Sequence, residues 1–124
     1  MGIILKTGID LIEIERIRHA QERHGARFLE RVFTAAEIAE CHGRAEAFAV
    51  HFAAKEATTK ALGTGIGPVG WREIEILHHP SGEPFLVLHD RAEKIAEILG
   101  LTSWAVSLSH SKEFGVAVVV ASGE

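Results

Sequence analysis

Two carboxylates, a lysine and a run of glycines are the residues of this 124-residue chain best suited to chemistry. Asp10 follows the apolar run Ile3-Ile4-Leu5 and sits between Ile9 and Leu11. An ionised carboxylate beside a core is costly unless it is paired, hydrogen-bonded or bound to a metal. The plainer alternative is a strand-end aspartate that caps the next helix. Glu56 lies seven, four and three residues after Ala49, Phe52 and Ala53, so it shares their apolar helix face. Lys60 follows at i+4 on that face. An exposed i,i+4 ion pair is worth only about 0.3–0.5 kcal/mol, and that reading does not explain why the pair faces inward. Gly63, Thr64 and Gly65 come next. Glycine-rich backbone lets N–H groups approach phosphate oxygens, and Lys60 would add a point charge. The glycines follow the lysine, so this is no Walker A loop, and glycines also end helices for structural reasons alone. His110, between Ser109 and Ser111, sits at the mouth of a hairpin, where a surface turn histidine is the plainer reading.

Other chemistries find less support. No HExxH or CxxC spacing occurs, and His78-His79 is the only adjacent histidine pair, which argues against zinc. Cys41 is the single cysteine, flanked by alanine-rich helix, and reads as a packing residue that cannot form an internal disulfide. No run approaches the ~20 apolar residues of a membrane span, and the N-terminus lacks a basic signal-peptide region. A cytoplasmic protein is expected. The net charge of −4 and the absence of a basic-aromatic platform weigh against nucleic acid. The charge is uneven: residues 16–31 hold Arg16, Arg18, Arg23, Arg27 and Arg31 against Glu22 and Glu30. Arg16 and Arg23, seven apart, share a helical face, which Arg27 would extend if the helix passed Gly25.

The elements that must position these groups follow from periodicity and punctuation. Residues 3–9 predict a strand and 13–24 a helix, broken at Gly25. A short helical piece spans 27–33. Thr34 and Glu37 form a capping box opening a helix through Cys41. A long alanine-rich helix runs from about 44 to 62, then the loop GTGIGPVG over 63–70. Strands are expected at 71–78 and 84–88 across an HPSGE turn. Asp90 is the expected N-cap of a helix stopping at Gly100. Two further strands, 103–109 and 113–121, flank SHSKE. Early helices and late strands indicate a single α+β domain over 1–124, with a long helix packed on an antiparallel sheet.

The segments GIDLIEIERI, FTAAE, HFAAKEATTKALGTGIG and VSLSHSKEFGVAVVV, in this order, closely resemble the holo-acyl-carrier-protein synthase group of the 4′-phosphopantetheinyl transferases. The resemblance runs from about Gly8 to Val120, and the FAAKEA…KALGTGIG stretch is its most specific part. It implies the 4′-phosphopantetheinyl transferase-like fold. The implied reaction moves the phosphopantetheine arm of coenzyme A to a serine of apo-acyl carrier protein, leaving adenosine 3′,5′-bisphosphate. It further implies Mg²⁺ held by Asp10 and Glu56, with Asp10, Glu56 and Lys60 as catalytic residues. Lys60, Gly63, Thr64, Gly65 and His110 would bind coenzyme A. The implied setting is fatty-acid biosynthesis, in a homotrimer with interfacial active sites. One departure stands out: His51 occupies a position that is often arginine in the family, and its partial charge would make it the weaker phosphate contact.

These implications agree with the residues. One or two carboxylates plus a pyrophosphate complete a Mg²⁺ site, because this ion keeps several waters. Glu56, through a water, is the first candidate for taking the serine proton. Acyl carrier proteins are acidic, so Arg16, Arg23 and Arg27 form a natural docking stripe. A non-catalytic coenzyme A or nucleotide-binding module on the same fold is the alternative; the presence of both Asp10 and Glu56 favours the enzyme.

Overall fold

The computed structural model describes residues 2–124. Strand β1 (Ile4–Glu13) leads into helices α1 (Ile14–His24), α2 (Ala26–Val32), α3 (Ala35–Cys41) and the long α4 (Ala45–Leu62). After the glycine loop come a 3-10 turn (Trp71–Glu73), strands β2 (Ile74–His78) and β3 (Pro84–Leu88), helix α5 (Asp90–Ile98), and strands β4 (Ser103–His110) and β5 (Phe114–Gly123). The class is α+β, as expected.

Strands β1, β5 and β4 form one antiparallel sheet in that order, and β2 pairs with β3 as a separate hairpin. Alternation decides which face is covered. Gly8 and Ile12 of β1 and Gly115, Ala117, Val119 and Ala121 of β5 are buried under α4. The opposite face presents Leu5, Ile9, Leu11, Val118 and Val120 to solvent. The helix meets the sheet through small residues: Ala49, Ala53 and Ala57 are fully buried. At Gly8 the approach is so close that a methyl group would lie 1.8 Å from the Ala57 carbonyl oxygen. No side chain larger than hydrogen fits there.

Three local expectations are corrected. Asp10 is no cap, because β1 continues through Glu13 and pairs Asp10 with Ala117 inside the ladder. Asp90 is the first helical residue of α5, not its N-cap. Glu73 does the capping instead, its Oε1 accepting the Ala92 N–H at 3.1 Å while its Oε2 binds Arg91. Residues 71–73 form a 3-10 turn, so β2 begins only at Ile74. The capping box is present as expected: the Thr34 hydroxyl accepts from Glu37 N and the Glu37 carboxylate from Thr34 N.

Candidate active site

Strand β1 and helix α4 bring Asp10, Glu56 and Lys60 to one seam. Asp10 lies on the helix-facing side of β1, in register between the buried Gly8 and Ile12. Lys60 reaches across, its Nζ donating to the Ile9 carbonyl at 2.8 Å and approaching Asp10 Oδ1 at 3.3 Å. Lys60 is 53% exposed and Asp10 20%, so the pair is open to a ligand. Burial pushes the Glu56 carboxyl above its ordinary value, and the Asp10 charge adds to this; Lys60 and Arg16 oppose it. A carboxyl raised by burial and by a neighbouring carboxylate, at a seam that is partly open to solvent, is prepared for a cation.

Among the described residues, no group of three or more His, Cys, Asp or Glu side chains could hold a metal alone. The donor set at the seam is therefore two carboxylates. That suits Mg²⁺, which takes its remaining ligands from water and phosphate, and does not suit zinc.

The glycine loop begins where α4 ends. Gly63 is left-handed at φ 77°, and the N–H groups of Gly63 and Thr64 close back on the Lys60 and Thr59 carbonyls. Gly65 and Gly67 also have positive φ, and space around Gly63, Gly65 and Gly67 is open. The loop thus starts beside Lys60 with open glycine positions, and Ile66 and the buried Val69 pin its later part to the core.

His110 lies elsewhere. It faces the same side of the sheet as α4 but lines a cavity of about 530 Å³ with Arg44, Ala47, Val50 and His51. Those residues are the N-cap and first half of α4, and Ala47 and Leu62 are separated by about 22 Å of helix rise. One chain does not bring His110 to Gly63–Gly65.

His51 is buried, its Nδ1 2.8 Å from Glu37 Oε2, with its ring also in the cavity wall. It belongs to a sealed cluster that sequence reasoning missed. Lys55 and Glu37 are fully buried, with Lys55 Nζ donating to Glu37 Oε1 at 2.6 Å. Burial pushes the Glu37 carboxyl up, but the His51 hydrogen bond and the Lys55 ammonium outweigh it and hold the group below its ordinary value. The sequence clue was Lys55 itself, a charge among Ala53, Ala54 and Ala57. Cys41 is buried nearby, and burial pushes its thiol up to about 12, which leaves it unreactive.

The basic segment is split. Arg16 and Arg23 lie on α1, but Gly25 (φ 52°) ends that helix and Arg27 departs on α2, so Arg27 does not continue the α1 face. Arg27 instead lines a surface cleft with His24, Phe28 and Arg31. Arg16 is near enough to act on Glu56, so the α1 face adjoins the carboxylate seam.

Residues 6–119 match the family model described as the 4′-phosphopantetheinyl transferase superfamily. A holo-[acyl-carrier-protein] synthase of Herpetosiphon aurantiacus is 46% identical over 97% of this chain and 100% of its own length. The crystal structure of the Helicobacter pylori holo-[acyl-carrier-protein] synthase in complex with coenzyme A superposes with a TM-score of 0.85, at 34% identity, covering 93% of this chain and 98% of that one. A Bacillus anthracis holo-(acyl-carrier-protein) synthase structure, in complex with CoA (3′,5′-ADP), gives 0.81 at 36% identity over 99% of this chain and 100% of that one. With the carboxylate seam, the glycine loop and the α4-on-sheet frame all in place, the chain belongs to the 4′-phosphopantetheinyl transferase superfamily, within its holo-[acyl-carrier-protein] synthase group.

Proposed function

We propose that this enzyme transfers the 4′-phosphopantetheine group of coenzyme A to a serine of an apo-acyl carrier protein, in the cytoplasm and in support of fatty-acid biosynthesis. The observation that carries the reading is the convergence of Asp10, Glu56 and Lys60 at the β1–α4 seam beside the glycine loop. The serine oxygen attacks the β-phosphorus of the pyrophosphate, and the bond from that phosphorus to the bridging oxygen breaks. Adenosine 3′,5′-bisphosphate leaves. Glu56, acting through a water, is the candidate that accepts the serine proton. Lys60 offsets charge growing on the phosphoryl oxygens, and the Gly63–Gly65 backbone cradles them. Asp10 and Glu56 would hold Mg²⁺, which when bound neutralises charge on the pyrophosphate. Arg16 and Arg23, next to the seam, would receive an acidic carrier surface, with Arg27 contributing from α2.

The separation of His110 from Gly63–Gly65 supports a site completed by a second copy. In that arrangement the cavity beside His110 and Arg44 takes the nucleotide end of coenzyme A, and the seam of a neighbour takes the pyrophosphate. The open apolar sheet face of Leu5, Ile9, Leu11, Val118 and Val120 is suited to burial between copies, in keeping with a homotrimer. Mixing Glu56→Ala with His110→Ala chains should then restore part of the activity that each lacks; no restoration, or a monomer by sedimentation, would contradict the shared site.

The direct test mixes the protein with apo-carrier protein, coenzyme A and Mg²⁺ and weighs the carrier. A mass gain of one phosphopantetheine, lost on chelation of the metal, is expected. An unmodified carrier would reject the reading.

A further inference from the structure

The glycine loop is pinned within by Val69, fully buried in the core with Ile66 packed against it, and both of its ends are tied to α4. At the first end, Gly63 N–H and Thr64 N–H close on the Lys60 and Thr59 carbonyls. At the second, the Trp71 ring stacks on Phe52 of α4 at 4.7 Å, and the Trp71 carbonyl accepts from Lys55 Nζ at 3.0 Å. The same ammonium donates to the Ile74 carbonyl, at the start of β2, and to Glu37. All three of its hydrogens are therefore used, and the side chain is fully buried. Glu37 is braced in turn by Thr34 N and His51, with Ile76 N at 3.4 Å. Glu73 Oε2 accepts the Gly70 N–H at 2.8 Å and is itself held by Arg91, whose Nη1 also reaches Gly67 O at 3.3 Å from an exposed position.

We propose that Lys55 is a positioning residue for the transfer reaction, anchoring the far end of the 63–70 loop so that its backbone N–H groups stand ready for phosphate. The Arg91 side chain is exposed, where such a tether contributes little, whereas a buried ammonium with three acceptors admits one geometry. Lys55 is also the residue before Glu56, so one turn of α4 carries both the reacting carboxylate and the anchor of the loop. The ammonium itself never meets substrate, because it is sealed from solvent. The inference rests on the reading that this loop meets coenzyme A.

The test uses the full chain with Lys55→Met and Glu37→Gln together, which removes both buried charges and leaves no unpaired ion. A second variant, Glu37→Gln alone, keeps the lysine and its two carbonyl bonds. Val32→Ala, a core truncation in α2, serves as the control for lost stability. Hydrogen exchange of the amides between 64 and 70 is read beside steady-state kinetics. In the double variant, loop exchange is expected to rise about tenfold or more, and KM for coenzyme A to rise by about tenfold while kcat changes less. Glu37→Gln alone should raise both by less, and Val32→Ala should move neither. Unchanged loop exchange in the double variant would overturn the anchoring role. Faster exchange with an unchanged KM would overturn the link to the reaction and show that the loop's assignment to coenzyme A is what failed. Equal shifts in Val32→Ala would reduce Lys55 to an ordinary stabilising residue.

Discussion

Helix α4 carries two charged clusters on adjacent faces, and they differ in almost every physical respect. Lys55 points into the protein, fully buried against Glu37 and within reach of His51. Glu56, one residue on and about 100° around the helix, points to the seam with β1, where Lys60 is mostly exposed. In the sealed cluster opposite charges meet with short bonds, every ammonium hydrogen is used, and the carboxyl is held below its ordinary value. In the open cluster two carboxylates share one partly exposed lysine, and the Glu56 carboxyl is pushed up. The contrast separates charge that is satisfied from charge that is left wanting. The first rigidifies; the second is free to bind.

The comparison breaks most visibly in activity. Asp10→Ala and Glu56→Ala should each reduce Mg²⁺-dependent transfer by about 10²–10³-fold or more while the protein stays folded, checked by carrier mass and circular dichroism. Near-normal turnover in either would remove the metal assignment. The sealed cluster should answer in the opposite currency. Glu37→Ala leaves a buried ammonium without its counter-charge and should lower stability by about 3–5 kcal/mol in urea unfolding. A loss under about 1 kcal/mol would mean the cluster does not lock the fold.

Lys60→Ala should raise KM for coenzyme A and lower kcat by about tenfold overall, with Lys60→Arg recovering only part. Unchanged parameters would leave Lys60 as a mere partner of Asp10. The pH dependence then sharpens the contrast by sign. The depressed Glu37 carboxyl contributes stability that is fully present above its unfolded value and lost as pH falls through the lower folded one. The raised Glu56 carboxyl does the reverse: ionising it works against folding as pH rises through its folded value. Glu56→Gln should therefore raise Tm slightly at neutral pH, and Glu37→Gln should flatten the acid limb of the stability profile. Matching slopes for the two variants would erase the distinction. The smallest effect belongs to docking. Arg16→Glu with Arg23→Glu should slow carrier association several-fold at low salt, by about 1 kcal/mol per close pair, with coenzyme A binding intact by calorimetry.

Much of the open cluster was legible because helical spacing is a local rule: Glu56 and Lys60 had to share a face, and the glycines had to end the helix. The sealed cluster was not, because Glu37 reads completely as a capping-box residue. Its second role depends on Lys55 and Ile76 arriving from 18 and 39 residues away. Asp10 reads as a carboxylate beside the core with a helix cap as the alternative, since nothing local reveals that β1 runs on to Glu13. The same limit applies at α5. A glutamate 19 residues away takes the capping bond, and spacing within the helix cannot disclose it. Resemblance carried the fold and the family; tertiary contacts between distant carboxylates and amides had to be seen.

The hydrogen at Gly8 sets a gauge. With a methyl group excluded by the Ala57 carbonyl, strand and helix rest backbone against backbone, like two plates clamped without a washer. Asp10 is mounted two residues along one plate, and Glu56 is next to the contact point on the other. The spacing of their backbone positions is therefore set by the stiffest parts of a polypeptide. A tolerance machined into the main chain does not drift as the core breathes. This allows a site open to solvent on one side to keep the backbone mounts of its carboxylates at one spacing.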